Sequence, residues 1–253
     1  MKLKFLGSGS AFVPITENFQ SNMILESDSG KRLLIDCGTD IRHSLHSYDL
    51  THQDIDAVYI SHFHADHVGG LEWLAFTCKF SVPAKKPKLF IHPSMVETLW
   101  NHVLSGGLRS IADENVSIHT YFDLQNLQNE TTFTWEKINF KLVKTKHVYD
   151  NGNLVPSFGL FFTNGKKNVF ITTDTQFDPE AYMEYFNKAD VIFHDCDLSN
   201  PGSEVHANYA KLLTLPPAIK AKMWLYHYPA LPLPAAQAQG FKGFVRKGEV
   251  FEF

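Results

Sequence analysis

Short apolar runs, each stopped by a polar or glycine-rich turn, recur along this chain. Runs of this length bounded by turn residues predict buried strands, and longer stretches with helical spacing predict helices between them. In the first half the predicted strands are Leu3 to Leu6, Ser21 to Glu26, Arg32 to Asp36, Ala57 to Ile60 and Lys88 to His92. The second and third form a hairpin around Asp28-Ser29-Gly30, and Pro93 stops the last. Helices are predicted over Ile41 to Leu50, from Leu71 to Phe76, and from Ser94 to Leu104, where Ser105-Gly106-Gly107 should break the helix. The second half predicts strands Thr132 to Trp135, Asn139 to Thr145, Gly159 to Thr163 and Asn168 to Thr172. Asn164-Gly165 joins the last two as a tight hairpin. Two further buried strands, Val191 to Phe193 and Met223 to Tyr226, are separated by helical segments around Glu180 to Asn187 and Asn208 to Leu213. The chain closes on an expected strand pair, Phe244 to Arg246 with Val250 to Phe253. Strands and helices interleave throughout with no linker, repeat or low-complexity stretch, which predicts one α/β domain over residues 1–253.

Composition narrows this picture. The 253 residues are 44% hydrophobic and include 21 phenylalanines, enough for a thick aromatic core. A formal net charge of −4 argues against a large nucleic-acid footprint, because such surfaces carry a clear basic excess. Lys79, Lys85, Lys86 and Lys88 form only a local basic patch, read as a solvated loop. Three well-separated cysteines make no disulfide framework and no Cys-x-x-Cys zinc motif. With no signal-like start and no membrane-length apolar run, the expectation is a cytoplasmic protein without a membrane partner. The segment Gly7-Ser8-Gly9-Ser10 lacks the third glycine of a dinucleotide fingerprint, since Phe12 stands in its place. It is read as a tight turn beside a site.

The chemistry concentrates after the strand Ala57 to Ile60. His62, His64, Asp66 and His67 follow within a few residues, and His62 and His64 project to the same side of an extended segment. Imidazole and carboxylate ligands without cysteine suit Zn²⁺ or a similar divalent ion. Further metal-competent groups end later strands: His147, Asp174, the pair His194-Asp195, and His227. Strand ends are where loops meet and sites are built. Asp36, at the end of its own strand, reads either as an ordinary turn residue or as a partner orienting a ligating histidine. The segment Leu104 to Ile111 reads as a surface loop or a lid, and His92 and His102 have no assigned partner.

The ordered set His62, His64, Asp66, His67, His147, Asp174 and His227 resembles the metallo-β-lactamase superfamily. The resemblance implies an αββα sandwich, two mixed sheets packed together with helices outside. It also implies two divalent metal ions, most readily Zn, with Mn, Fe or Co as alternatives. His62, His64 and His147 would hold one ion, and Asp66, His67 and His227 the other, with Asp174 bridging them. The opening Phe5-Leu6-Gly7-Ser8-Gly9, Asp36-Cys37-Gly38, Pro156-Ser157-Phe158-Gly159, His194-Asp195-Cys196-Asp197, His206-Ala207-Asn208 and the ending Phe244 to Val250 are similar to the tRNase Z-like phosphodiesterases. Where those enzymes carry His-Glu-Ala-Thr this chain has the shorter Asp195. The long arm that grips tRNA is also missing between His147 and Asp174. In length and motif layout the chain looks like the small anti-Pycsar nucleases, which hydrolyse cyclic mononucleotides such as cyclic CMP and cyclic UMP. By that resemblance the substrate is a small cyclic nucleotide, the product a 5′-monophosphate, and the assembly a homodimer. Asp66 would hold the attacking water, His206 oriented by Asp195 would donate a proton to the leaving oxygen, and Ser157 and Phe158 would touch substrate, the Phe by stacking on the base. Two other readings stay open at this point: a tRNA 3′ endonuclease, and a protein that binds a phosphodiester without cleaving it.

Overall fold

The computed structural model describes residues 1–112, 114–229 and 232–253. One seven-stranded sheet is built from β1 (Lys2–Phe5), β2 (Met23–Glu26), β3 (Arg32–Ile35), β4 (Ala57–Tyr59), β5 (Lys88–Phe90), β6 (Asp123–Leu124) and the distant β16 (Val250–Glu252), in the order β16-β1-β2-β3-β4-β5-β6. The second contains β7 (Thr132–Trp135), β8 (Ile138–Lys144), β11 (Phe158–Thr163), β12 (Asn168–Ile171), β13 (Val191–Asp195), β14 (Met223–Tyr226) and β15 (Gly243–Phe244), in the order β15-β14-β13-β12-β11-β8-β7. A small hairpin of β9 (Tyr149–Asp150) and β10 (Asn153–Leu154) stands apart from both.

Each sheet has an antiparallel part and a parallel part. In the first, β3, β4, β5 and β6 run parallel; in the second, β12, β13, β14 and β15 do. This is the mixed architecture expected of an αββα sandwich. The central β4 is buried along its whole length, as a parallel strand covered on both faces must be. β8 instead alternates buried and exposed positions over most of its length, as a strand with one solvated face does.

The inner faces share one aromatic-rich core. Phe5 of β1 lies 5.1 Å from Phe193 of β13, joining the two sheets. Phe133 stacks between Phe90 and Phe140 at 4.1 and 4.5 Å. Fully burying one such ring contributes about 1.5–3 kcal/mol, so this row ties β5, β7 and β8 together more strongly than the short ladders alone. Outside lie α1 (Ile41–His46), α2 (Ala65–Val68), α3 (Leu71–Phe80) and the helix Pro179–Lys188, whose first turn is capped by Asp178 accepting from the Ala181 amide.

Two local expectations are corrected. The chain remains helical from Pro93 to Leu108, through a π-helical stretch Leu99–Leu104, so Ser105-Gly106-Gly107 does not break it. Gly107 instead allows close approach to α3: a Cβ there would sit 2.1 Å from the Glu72 carboxylate. The two closing strands also do not pair with each other. β15 adds in parallel to β14, and β16 adds antiparallel to β1, so each takes the open edge of a different sheet. Lys79 and Lys85 pair with Glu114 and Asp56, which uses the basic patch as surface ion pairs.

Candidate metal centre

The parallel strands β3, β4, β12, β13 and β14 all end at one edge of the sandwich, and β8 runs in the same sense as β12. The polar residues that follow these strands therefore meet. Asp36 follows β3, the segment 61–67 follows β4, His147 lies just beyond β8, Asp174 beyond β12, and His227 follows β14, while Asp195 ends β13. The turn after β1 closes over the same edge, where the Ser8 carbonyl accepts from the His227 amide at 2.8 Å and the Ser10 amide donates to the Tyr228 carbonyl at 3.0 Å. Gly38 lets the β3 turn press against the ligand loop, since a Cβ there would lie 2.1 Å from the Asp66 carbonyl oxygen.

Two clusters result, each with ligand atoms within 4.8 Å of one another: His62, His64, His147 and Asp174, and Asp66, His67, Asp174 and His227. Asp174 belongs to both. Its Oδ2 lies 3.2 Å from His67 Nε2, 3.3 Å from His227 Nε2, 3.7 Å from His147 Nε2 and 3.8 Å from His62 Nε2.

Hydrogen bonds around the clusters set which nitrogen faces inward. His67 Nδ1 donates to Asp36 Oδ2 at 2.7 Å. Ser61 donates its hydroxyl to the same carboxylate at 2.8 Å and so accepts from His62 Nδ1 at 3.0 Å. His147 Nδ1 donates to the Val205 carbonyl at 2.8 Å. Each bond consumes the outer proton and leaves an Nε2 lone pair pointing into the cluster. His62 Nε2, His67 Nε2, Asp66 Oδ2 and Asp174 Oδ1 are buried with no hydrogen-bond partner. Buried polar atoms are normally paired, and a divalent cation would satisfy these together. The donor set of imidazole nitrogens and carboxylate oxygens fits such an ion.

The electrostatics agree with this fit. Burial holds His62, His64 and His147 below the ordinary imidazole value, so they are neutral with lone pairs free. Burial alone would raise Asp66 and Asp174, but neighbouring His67 and His227 outweigh it and keep both carboxylates low and ionised. Burial disfavours the charged form of His67, yet Asp174, Asp66 and Asp36 push it well above its usual value.

Beside the clusters, His206 Nδ1 donates to Asp195 Oδ2 at 2.7 Å, and the same oxygen accepts from the Thr175 amide at 2.9 Å. Its ring lies 4.9 Å from that of His147 and 5.0 Å from that of His227. Burial opposes protonation of His206, but the Asp195 carboxylate outweighs it and raises the imidazole to about 10. Asp195 reaches His206 although it is shorter than glutamate.

Ser157 is buried and accepts from Thr145 Oγ at 3.0 Å. Phe158 is 6% exposed, and one face is stacked on His92 at 4.2 Å and 8°. That contact covers one face of the Phe158 ring. His92, which had no partner in sequence, is its neighbour, and nothing in spacing links a residue after β5 to one opening β11. His194 lies buried with Nδ1 on the Asp195 carbonyl at 2.7 Å and its ring 5.7 Å from that of Phe186, and it belongs to neither cluster. Asp197 has a role that its spacing does not reveal. It accepts from the Ser199 amide at 2.8 Å and the Ser203 amide at 2.6 Å, and so shapes the loop that delivers His206.

Two mixed sheets with a His and Asp centre at one edge define a metallo-β-lactamase-fold protein, and solved structures share this architecture. The metallo-β-lactamase fold protein YhfI from Bacillus subtilis superposes with a TM-score of 0.75 at 19% identity, over 99% of each chain. The short form of human tRNase Z does so with a TM-score of 0.71 at 18% identity, over 100% of this chain and 99% of that one. The narrower assignment comes from sequence relatives: the chain belongs to the Anti-Pycsar protein Apyc1 family, whose model matches residues 1–251. It is 40% identical to the Anti-Pycsar protein Apyc1 of Paenibacillus harenae, over 90% of both chains. It is 34% identical to that of Paenibacillus sp. (strain J14), over 99% of this chain and 98% of the relative. The protein of the same name from Bacillus phage BSP38 is 35% identical over 90% of this chain and 88% of its own.

Proposed function

We propose that this metal-dependent phosphodiester hydrolase opens small cyclic nucleotides, cyclic CMP and cyclic UMP among them, to nucleoside 5′-monophosphates, and so removes a Pycsar immune signal. The observation that carries the reading is the Asp195–His206 pair set against the two ligand clusters, because a proton donor at that point serves an alkoxide leaving group. His62, His64, His147 and Asp174 would hold one divalent ion, and Asp66, His67, His227 and Asp174 a second. The ions are most readily zinc, with manganese, iron or cobalt also compatible with this donor set. Bound there, the ions would neutralise the phosphodiester oxygens and acidify a water.

The chain's own residues do the rest. Asp66 would hold the attacking water as its oxygen bonds to phosphorus, and the water's proton leaves to solvent. As the bond from phosphorus to the 3′ oxygen breaks, His206 gives its Nε2 proton to that oxygen. Asp195 holds the imidazole by Nδ1 and stabilises its protonated form. The 253 residues would act as one domain in the cytoplasm, in a homodimer, with no membrane partner. Among the described residues no helix is long and apolar enough to cross a membrane.

A tRNA 3′ endonuclease would need a grip on a folded RNA. Between His147 and Asp174 this chain has only the β9–β10 hairpin and the pair β11–β12, and its net charge is −4. A non-cleaving binder would have no use for a proton donor. Incubating the metal-loaded protein with a panel of cyclic nucleotides and a precursor tRNA separates the three. Formation of 5′-monophosphates supports the proposal. Trimmed tRNA, or tight binding without product, sinks it. His206→Ala is expected to keep its metal by elemental analysis while kcat falls about 10²–10⁴-fold. An unchanged kcat would remove the proton-donor role.

A further inference from the structure

His147 and Asp174 share a cluster, yet they follow strands that are not paired with each other. β8 and β12 both pair with β11, which lies between them, so no sheet hydrogen bond fixes the spacing of their ends. Two strand widths, roughly 9–10 Å, have to be spanned by groups beyond the sheet. The Gln176 amide donates to the Lys146 carbonyl at 2.6 Å, and the Gln176 side chain donates to the His147 carbonyl at 2.8 Å. A further link comes from the outer helix Pro179–Lys188. Its Tyr182 is buried, and the Tyr182 hydroxyl accepts from the Lys146 amide at 3.0 Å. The same hydroxyl lies 2.8 Å from Thr175 Oγ1. Thr175 Oγ1 in turn faces the carbonyls of Lys146 at 3.2 Å and Gln176 at 3.1 Å. Carbonyls only accept, so the single Thr175 proton is used there and Tyr182 donates to Thr175.

One hydroxyl thus holds the residue before His147 to the residue after Asp174. Both sides lead on to the proton donor. The Thr175 amide donates to Asp195 Oδ2, which holds His206, and His147 Nδ1 donates to the carbonyl of Val205, one residue before His206. We propose that Tyr182 is a positioning residue, whose hydroxyl fixes His147 against Asp174 and so sets the metal affinity of the cluster that contains them both. This rests on the metal reading of the clusters given above. The ring of Tyr182 has a separate task. It packs 6.2 Å from Phe170 and 6.1 Å from Phe186, contacts that phenylalanine would keep. Tyr182→Phe therefore removes the tie and leaves the packing of the helix in place. Tyr185 on the same helix supplies the control. Its ring also lies against Phe170, at 5.5 Å, and among the described residues its hydroxyl makes no hydrogen bond to the site.

Competition for Zn²⁺ against a chromogenic chelator tests this without any turnover. Tyr182→Phe is expected to weaken Zn²⁺ binding about tenfold, and Tyr185→Phe to leave it as in the native protein. Thr175→Val removes the other end of the same bond and should give a similar loss. The double variant should bind no more weakly than the weaker single one, because both substitutions delete one shared interaction. A role in packing alone would lower the Tm of Tyr182→Phe and leave its Zn²⁺ affinity native. That result would overturn the proposal, as would losses that add in the double variant. Hydrogen exchange on the metal-free protein separates the tie from the metal. The Lys146 amide should exchange about tenfold faster in Tyr182→Phe, and unchanged protection would overturn the tie. A native protein that takes up no Zn²⁺ would sink the metal reading, and faster exchange in Tyr182→Phe would still uphold the tie.

Discussion

Asp36 holds two of the cluster histidines, His62 and His67, from outside the clusters. Its carboxylate accepts a hydrogen bond from His67 Nδ1 and one from the Ser61 hydroxyl, which in turn accepts from His62 Nδ1. It also sits at a positive φ of 62°, a conformation that Asp and Asn adopt more readily than most residues. Asp36→Asn should therefore fold normally while weakening the orientation of both rings. We expect metal affinity to fall about 10–100-fold, read by competition with a chromogenic chelator. Asp197 is a second such residue, acting on the loop of His206. Burial raises its carboxyl, but hydrogen bonds from Ser199 and Ser203 outweigh this and hold it below its ordinary value of 3.8. A depressed folded-state value stabilises above the unfolded one and is lost as pH falls through the folded one. Asp197→Asn is expected to cost about 1–2 kcal/mol at neutral pH. The gap from the native protein in urea midpoint should be flat above about pH 5 and narrow as the pH falls below 3.8.

At the scale of elements, the site depends on turns that let strand ends come together. The β3 turn and α2 touch through Gly38 and Asp66 with no room for a methyl group. Gly38→Ala must move Asp66 or the turn, so a loss of bound metal is expected together with a lower Tm. A variant with native metal content would show that the contact is slack. The individual strands of this edge were largely legible in sequence. β4, β11, β12 and β14 fall where their apolar runs predict, because short apolar runs between turn residues have few other ways to bury themselves. The helix Pro93 to Leu108 and the split of β15 from β16 were not legible. Gly107 packs against Glu72 of α3, and the partner of a short edge strand is whichever sheet has an open edge nearby. Neither neighbour is local in sequence.

For the whole molecule, the centre is both a function and a liability. Buried, unpaired ligand atoms such as His62 Nε2 and Asp174 Oδ1 cost free energy when no cation satisfies them. Removing metal with a chelator should therefore lower the Tm, and adding it back should raise the Tm with concentration, the gain in stability reaching about 2.7 kcal/mol at a hundredfold excess over Kd. A Tm indifferent to metal would argue that the clusters are structural. The clusters sit where both sheets end, so the aromatic core that joins the sheets also sets the distance between ligands from β4 and ligands from β12 to β14.

By sequence alone the types and order of the metal-competent residues and their placement after strands were legible, because those follow from local spacing and strand period. So was the mixed α/β sandwich, through a resemblance spread along nearly the whole chain. Only the tertiary structure decided which imidazole nitrogen faces inward, since that depends on Asp36, Ser61 and the Val205 carbonyl meeting rings from other strands. It also enclosed Phe158 against His92 and left Tyr149 open beside His206. Exposure of a ring is a property of what packs over it, and no window of sequence contains those neighbours.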